Sequence, residues 1–465
     1  MKSALTTHIK RHVISACLFM FLLSYVTAFS FAGVQAVELN KNAAISVVDP
    51  AGRTYQHMQL LDGRYTTKLT LPAHTEICIQ TEQRISGLYL IWDRAPGPWA
   101  LRVVEEERTS MVLLGTNGWI HEYVALEEPS CDISIMLSNR EATLCEIGLF
   151  GEGDLPEYVQ VWDEPYADAD MLLLPTHADD EHLFFGGIMP YYAGERGYKV
   201  QVAYLTNHWA EPYRPHELLN GLWEVGIRNY PIIGEFIDYY ADNLEYAKGL
   251  YNPDRVVEYQ VELIRRFRPE VIIGHDIGGE YGHGVHMLNT WALMQAIDLA
   301  ADEAYRTTWD GEQETFRVSK VYLHLYPDRA VTMNWDKPLS RFGGRTALDM
   351  AKAGFAQHIS QQKWFSVRTE GVHDCRAFGL YDTVVGDDPD WLEPDFFHNI
   401  EHFSDDAPRM DANDDNDITT DDSNSPDNAR FPVDGRGLRG AGMISVGVVL
   451  IFIALIVWAR SRTRS

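Results

Sequence analysis

Apolar and polar positions follow two different patterns in two parts of the chain. Between residues 37 and 160, short apolar or alternating runs are separated by turn residues, as at 61–63 and 95–97. Closely spaced short strands of this kind are typical of an antiparallel β-sandwich. The predicted strands cover residues 67–71, 76–80, 87–92, 101–105, 133–137 and 144–150.

From residue 161 to 403, apolar strand-like runs instead alternate with amphipathic stretches. This alternation predicts a second domain of the α/β class, with a Rossmann-like parallel sheet and helices on both of its faces. The predicted strands and helices follow one another at 199–205, 215–225, 254–267, 271–273, 286–299 and 318–325.

The ends of the chain have a different character. Residues 1–36 combine basic residues, an apolar run and small residues, which predicts a secretory signal peptide, with an uncleaved anchor as the alternative. The polar, aspartate-rich composition of residues 404–439 predicts an acidic disordered linker. A calcium-binding loop is the less favoured alternative, because some of these aspartates have its spacing. Residues 440–459 match the length of a bilayer span, and the basic tail at 460–465 predicts a cytoplasmic end. We therefore predict a single-pass protein of the cell membrane with extracellular domains.

Composition narrows the possible functions. The chain has 465 residues, 46% of them hydrophobic, which is enough for two or three domains with real cores. A net charge of −28 argues against a nucleic-acid binder, because phosphate contacts need an excess of Lys and Arg. The 5 cysteines include no Cys-x-x-Cys pair, which argues against a cysteine-based zinc site. Cys131 and Cys145 flank a predicted hairpin tip, so a disulfide between them is an open alternative.

The densest group of chemically active side chains follows an apolar run at 171–174. Pro175 ends any helix there, and His177, Asp179 and Asp180 come next. In open α/β sheets, ligands bind at the carboxyl ends of the strands. The imidazole of His177 and the carboxylate of Asp180 can reach one metal ion from a tight turn, which leaves Asp179 free to act as a base.

A catalytic zinc site takes three protein ligands and keeps a position for water, so a third ligand has to come from elsewhere. The segment 274–286 follows another strand-like run and carries His275, His283 and His286. Two histidines and a carboxylate also accept iron or manganese, so these residues alone leave the metal open.

Both segments resemble known motifs. Residues 176–181 look like the His-Pro-Asp-Asp-Glu signature of the LmbE/PIG-L-type zinc deacetylases, and residues 279–286 look like their second motif. The resemblance covers roughly residues 165–400. It implies that the ligands of Zn²⁺ are His177, Asp180 and His286.

The same resemblance implies the catalytic residues. Asp179 is the expected general base, and His283, assisted by Tyr281, is expected to stabilise the oxyanion or to protonate the leaving amine. Arg214 lies where the family has an arginine that contacts substrate hydroxyls, with a structural ion pair as the alternative. Ala178 replaces the usual proline, and Val285 replaces an aspartate that tunes the catalytic histidine in many members.

The predicted function is therefore a cell-surface, zinc-dependent hydrolase that removes the acetyl group from an N-acetylated amino sugar. A carbohydrate-binding or adhesion protein with a degenerate catalytic domain is one alternative, and an amidase acting on a non-sugar N-acyl substrate is another. The first domain loosely resembles galactose-binding-like jelly rolls. Trp92, Trp99 and Trp119 form either a sugar-stacking face there or, as the favoured alternative, part of its core. His358, on a predicted helix, is more typical of a structural role than of a catalytic one.

Overall fold

The structure is a computed structural model that describes residues 34–105, 108–308 and 314–400. The chain divides into two compact units, one ending at Val161 and the other beginning at Trp162. The predicted signal peptide falls almost wholly outside the described residues. The predicted linker, membrane span and basic tail lie outside them entirely.

Antiparallel strands build the N-terminal unit. They pair in the order β2-β1-β4-β7-β5-β6, and β8 pairs with both β3 and β4. Short 3₁₀ helices cover Asn40–Asn42 and Met58–Leu61. The strands are β1 (Ala44–Val48), β2 (Thr54–Gln56), β3 (Leu69–Leu71), β4 (Glu76–Trp92), β5 (Trp99–Glu105), β6 (Arg108–Leu114), β7 (His121–Leu137) and β8 (Ala142–Phe150).

Strand β4 joins two segments that the sequence predicts as separate strands. Its pairing with β7 shifts register between Gln80 and Gly87, so an irregularity within one strand replaces the expected turn. The assignment of this unit to a galactose-binding-like sandwich stays a prediction.

Two of the candidate sugar-stacking residues belong to the interior. Trp92 and Trp99 are fully buried with ring centroids 6.1 Å apart, and the Trp99 indole donates to Glu122 at 3.1 Å. They therefore offer no face to a sugar, and the core alternative holds for both. Cys131 and Cys145 are free thiols, because β4 lies between β7 and β8 and these strands are not neighbours.

The C-terminal unit contains a seven-stranded sheet in the order β11-β10-β9-β12-β13-β15-β14. The first five strands run parallel, whereas β15 pairs antiparallel with both β13 and β14. The sheet is therefore mixed, which corrects the expectation of a purely parallel one. Its strands are β9 (Met171–Leu173), β10 (Val200–Asn207), β11 (Ile232–Ile237), β12 (Val271–Gly274), β13 (Lys320–His324), β14 (Ala330–Thr332) and β15 (Ala377–Thr383).

Seven α-helices are described in this unit, together with a π-helical segment at Met189–Glu195 and 3₁₀ helices at Ser340–Phe342 and Gly371–His373. The helix expected after the acidic turn is short. It ends at Leu183, and Gly186 adopts a positive φ of 45° where a Cβ would lie 2.7 Å from the Cys375 sulfur. The α-helices are α1 (Asp180–Leu183), α2 (Arg214–Glu224), α3 (Leu244–Leu250), α4 (Pro253–Phe267), α5 (Gly279–Gly282), α6 (Gly284–Ala301) and α7 (Ala347–Phe355).

The sheet of this unit is buried on both faces. Leu172, Leu205 and Ile272 pack with α4 and α6 in one apolar core. The neighbouring residues Leu173 and Tyr204 are equally buried. Side chains alternate between the two faces of a strand, so these residues belong to the opposite face.

Strand order places the two sequence motifs side by side. From β9 the chain moves outward to β10 and β11, and then crosses to β12 on the other side of β9. This reversal opens a crevice at the carboxyl ends of β9 and β12, where open α/β sheets bind their ligands. The first motif directly follows β9, and the second motif directly follows β12.

No helix among the described residues is long and apolar enough to cross a membrane. Even the 18-residue helix α6 contributes its apolar side chains to the core of the C-terminal unit. The prediction of a single-pass protein of the cell membrane is corrected on this finding.

A buried carboxyl group in the N-terminal unit predicts a dependence of stability on pH. Glu146 is 7% exposed, and one of its oxygens accepts from the backbone of Gly63 and Arg64. Burial raises the pKa of Glu146 from 4.5 to about 7. The folded state therefore binds this proton more tightly than the unfolded chain does. The resulting stabilisation is complete below pH 4.5 and is lost as the pH rises through 7.

Between pH 4 and pH 8 the wild-type protein should lose stability that Glu146→Gln keeps. We therefore expect the free energy of unfolding of Glu146→Gln, relative to that of the wild-type protein, to rise by about 1–3 kcal/mol over this range. Calorimetry of the full chain gives the melting temperature of each protein at both pH values. The difference in melting temperature between variant and wild type should be larger at pH 8 than at pH 4. Glu128→Gln, at an exposed position of the same unit, is the control. A difference that does not change with pH would contradict the buried-carboxyl argument.

Candidate metal centre and active site

The turn after β9 is held in place by the carboxylate of Asp180. One oxygen of this group accepts hydrogen bonds from the backbone N–H groups of His177 at 2.7 Å and Thr176 at 3.2 Å. Asp179 has a φ of 119°, outside the regions that most residues adopt, and helix α1 begins directly after it. The strained turn directs Asp179 and Asp180 to different neighbours.

Three predicted ligands converge at one point. Nδ1 of His177 lies 3.0 Å from Nε2 of His286, and each of these nitrogens lies 3.3 Å from the same oxygen of Asp180. All three side chains are almost completely buried. Ligand atoms of a tetrahedral zinc ion, bound at about 2 Å, are separated by about 3.3 Å. Both the spacing and the donor set of the three side chains therefore fit a zinc ion.

His275 lies in the same cluster but is already engaged. Its Nε2 accepts a hydrogen bond from the Thr176 backbone at 3.0 Å, and its Nδ1 faces Glu280 at 2.9 Å. With both ring nitrogens occupied, His275 supports the turn rather than offering a lone pair. Its ring stacks on that of His286, with centroids 4.2 Å apart.

Sequence reasoning missed Glu280, which organises the second motif. Its carboxylate contacts Nδ1 of His286 at 2.7 Å, Nδ1 of His275 at 2.9 Å and Nδ1 of His324 at 3.1 Å. Burial alone would raise the pKa of Glu280, but His275 and His286 outweigh it and hold the pKa well below its usual value. The contact with His286 turns the opposite nitrogen toward the cluster, as carboxylates that hydrogen-bond to the histidines of metal sites do.

Asp238 is a second residue that sequence reasoning missed. It contacts Nε2 of His177 at 3.3 Å, Nδ1 of His208 at 3.1 Å and the Arg214 guanidinium at 3.4 Å. Burial opposes ionisation, but the two imidazoles hold the pKa of Asp238 well below its usual range. Asp238 directly follows β11, so an acidic residue at the carboxyl end of a strand is the signal that points to it.

Asp179 lies beside the three converging ligands and is 4% exposed. Its side chain faces the Arg214 guanidinium at 3.3 Å, and its backbone N–H donates to Glu181 at 2.8 Å. Burial raises the pKa of Asp179 well above its usual value, although Arg214 opposes the shift. Arg214 also donates to the Ala178 carbonyl and to Asp238. Its guanidinium therefore bridges the turn after β9 and the end of β11.

His283 and Tyr281 lie at the open side of this cluster. The His283 ring centroid is 4.8 Å from that of His177, and the Val285 backbone donates to its Nδ1 at 3.2 Å. Burial, together with His177 and His286, lowers the pKa of His283 to about 3. A neutral ring whose Nδ1 accepts a hydrogen bond carries its proton on Nε2. Tyr281 is 42% exposed, with its ring 5.8 Å from that of His283.

Comparison with known proteins gives this geometry a family context. Residues 172–297 match the family model described as PIG-L, GlcNAc-PI de-N-acetylase. A 1D-myo-inositol 2-acetamido-2-deoxy-alpha-D-glucopyranoside deacetylase from Streptomyces griseus subsp. griseus is 29% identical over 193 residues. That alignment covers 36% of this chain and 59% of the relative, so the chain spans about three-fifths of its length.

A relative with the same description from Streptomyces avermitilis is 26% identical, over 50% of this chain and 98% of its own length. Among solved structures, N,N'-diacetylchitobiose deacetylase from Pyrococcus horikoshii is similar, with a TM-score of 0.32 and 15% identity. That match covers 42% of this chain and 72% of the other.

The family match begins in strand β9 and ends in helix α6. It therefore contains both strand ends and every residue of the two motifs that meet there. Residues 172–297 of the chain are therefore similar to the PIG-L (LmbE-like) family, and this match includes the whole candidate site.

Proposed function

We propose that the protein is a metal-dependent N-deacetylase that releases acetate from an N-acetylated amino sugar of the N-acetylglucosamine type. The observation that carries the proposal is the convergence of His177, Asp180 and His286 within 3.3 Å, with the Asp179 carboxyl group beside them. The substrate class follows from the relatives, whose names specify acetamido sugars.

His177, Asp180 and His286 would hold the metal ion, and zinc fits their donor set best. A zinc ion bound there lowers the pKa of a water molecule and so supplies a nucleophile at neutral pH. Glu280 and Asp238 support the site from outside. Each contacts the second ring nitrogen of a ligand histidine, which fixes the orientation of the ring.

Asp179 acts as the general base in this proposal. Its carboxylate accepts a proton from the water as the oxygen attacks the acetyl carbon, and the same proton passes to the amine nitrogen as the carbon–nitrogen bond breaks. The products are acetate and a free amino sugar. A carboxyl group with a raised pKa suits both halves of this transfer, because it holds the proton between the two steps.

His283 stabilises the oxyanion. Because its Nδ1 accepts from Val285, its Nε2–H is left to donate toward the negative charge that develops on the carbonyl oxygen. A neutral ring is a hydrogen-bond donor but a poor acid, so we assign delivery of the proton to Asp179 rather than to His283.

Aromatic side chains give the site a surface suited to a sugar ring. Tyr281 is 42% exposed, and the 67% exposed Tyr240 lies edge-on to His283 with centroids 5.0 Å apart. Tyr281 also packs against Phe365 at 5.8 Å. Tyrosine presents both an apolar face and a hydroxyl group, which matches the alternating apolar and polar surfaces of a pyranose.

The first prediction concerns the base. We expect Asp179→Asn to retain its metal and to lose about 10²–10⁴-fold in acetate release, because asparagine cannot take the proton. Asparagine tolerates a positive φ, so the turn should persist. Acetate is measured with N-acetylglucosamine, its inositol glycoside and N,N'-diacetylchitobiose as substrates, and the exposed Asp328→Asn is the control.

Near-normal activity of Asp179→Asn would rule out the assignment of the base. If the wild-type protein releases no acetate from any of the three sugars but does so from N-acyl amino acids, the substrate class is wrong while the reaction class stands.

The second prediction concerns the ligands. We expect Asp180→Asn to bind about one metal ion fewer per chain than the wild-type protein and to lose activity with it, because a neutral amide is a weak zinc ligand. Chelation of the wild-type protein should abolish acetate release, and added Zn²⁺ should restore it. Metal content measured beside activity tests this directly, and full activity in the chelated protein would contradict it.

The third prediction separates the two roles considered for Arg214. Its guanidinium contacts Asp179, Asp238 and the Ala178 carbonyl, which favours a positioning role. We therefore expect Arg214→Gln to lower kcat about 10–100-fold with KM nearly unchanged. Arg317→Gln, which removes ion pairs to Asp298 and Asp382, is the control. A raised KM with unchanged kcat would show instead that Arg214 binds substrate.

A further inference from the structure

A second cluster of ionisable side chains lies close to the metal centre but shares no residue with it. Glu181 and His182 belong to helix α1, and His358 follows helix α7. All three side chains are completely buried, as is Tyr204 of strand β10. We call Glu181, His182 and His358 the inner cluster.

The inner cluster is unusually poor in hydrogen bonds. Both ring nitrogens of His182, both ring nitrogens of His358 and one oxygen of Glu181 are buried and form no hydrogen bond among the described residues. Buried polar atoms in folded proteins nearly always have a partner, and a group of unsatisfied ones indicates an ion or water that completes them. The other oxygen of Glu181 accepts from the Asp179 backbone.

The open atoms of the inner cluster lie close together. Nε2 of His358 lies 3.0 Å from the open oxygen of Glu181, and Nε2 of His182 lies 3.4 Å from it. Neither pair forms a hydrogen bond, although both are close enough. Atoms that bind one metal ion are separated by similar distances without hydrogen bonds between them, because each directs a lone pair at the ion.

Two glycines keep the space around these nitrogens clear. A Cβ at Gly221 of helix α2 would lie 2.7 Å from Nε2 of His182 and 2.9 Å from Nε2 of His358. A Cβ at Gly354 of helix α7 would lie 2.2 Å from the His182 ring. Glycine is unfavourable inside a helix, so its presence at both positions indicates a requirement for room.

We propose that Glu181, His182 and His358 bind a second divalent metal ion, with zinc as the cation that best fits two imidazoles and a carboxylate. All three ligand atoms lie within 4.8 Å of one another. The burial of the site makes its role structural, because no substrate reaches it. The ion ties helix α1 to the segment after helix α7, and it fixes the glutamate that accepts from the backbone of Asp179.

Counting metal ions tests this proposal. The full chain is loaded with Zn²⁺, freed of excess metal by gel filtration and analysed by mass spectrometry of the metal. We expect about two ions per wild-type chain and about one in His182→Gln/His358→Gln. We also expect about one in Asp180→Asn/His286→Gln, which removes the first centre. His74→Gln, at an exposed position of the N-terminal unit, should keep about two.

Three outcomes would overturn the proposal. One is a single ion in the wild-type chain that is lost with Asp180 and His286, which would leave buried water as the occupant of the inner cluster. Another is an undiminished count in the His182/His358 variant. The third is an Asp180→Asn/His286→Gln protein that binds no metal at all. This outcome decides the question even if the His182/His358 variant does not fold. The count does not depend on deacetylase activity, so this proposal and the proposed function fail separately.

Discussion

The carboxylate of Glu280 is the interaction on which the candidate site depends. A charged group in the interior is costly unless opposite charge and hydrogen bonds surround it, and three imidazoles do so here. The same contacts orient His286 toward His177 and Asp180 and hold His275 under the turn after β9. Glu280 itself has a φ of 55°, a conformation that its backbone adopts only where surrounding contacts enforce it.

Much of this arrangement follows from the sequence. The strand-like runs at 171–174 and 271–273, each followed by polar residues, indicate an α/β sheet with a site at its carboxyl edge. The two runs become neighbouring strands β9 and β12, with the motif residues together beyond them. The resemblance to a deacetylase family rests on those same residues, and the comparisons confirm it over 172–297.

Other features lie beyond what a linear pattern can indicate. Glu280 and Asp238 belong to no repeating pattern, and their importance arises only when the fold brings them against histidines from distant segments. The antiparallel direction of β15 depends on the path by which the chain enters the sheet between β13 and β14, and a strand has the same sequence pattern in either direction. The burial of Trp92 and Trp99 is a further example, because the sequence alone does not distinguish an aromatic residue in a core from one on a binding face.

Consecutive residues at the turn between β9 and α1 contact different partners. Asp179 faces Arg214, Asp180 faces His177 and His286, and Glu181 and His182 form the inner cluster with His358. Side chains in a helix rotate by about 100° per residue, so this division depends on where helix α1 starts. Inserting or deleting one residue before Asp179 would present each carboxylate to the wrong neighbours, although none of the residues from Asp179 to His182 would be replaced. The length of this turn is therefore as strongly constrained as the identity of its residues.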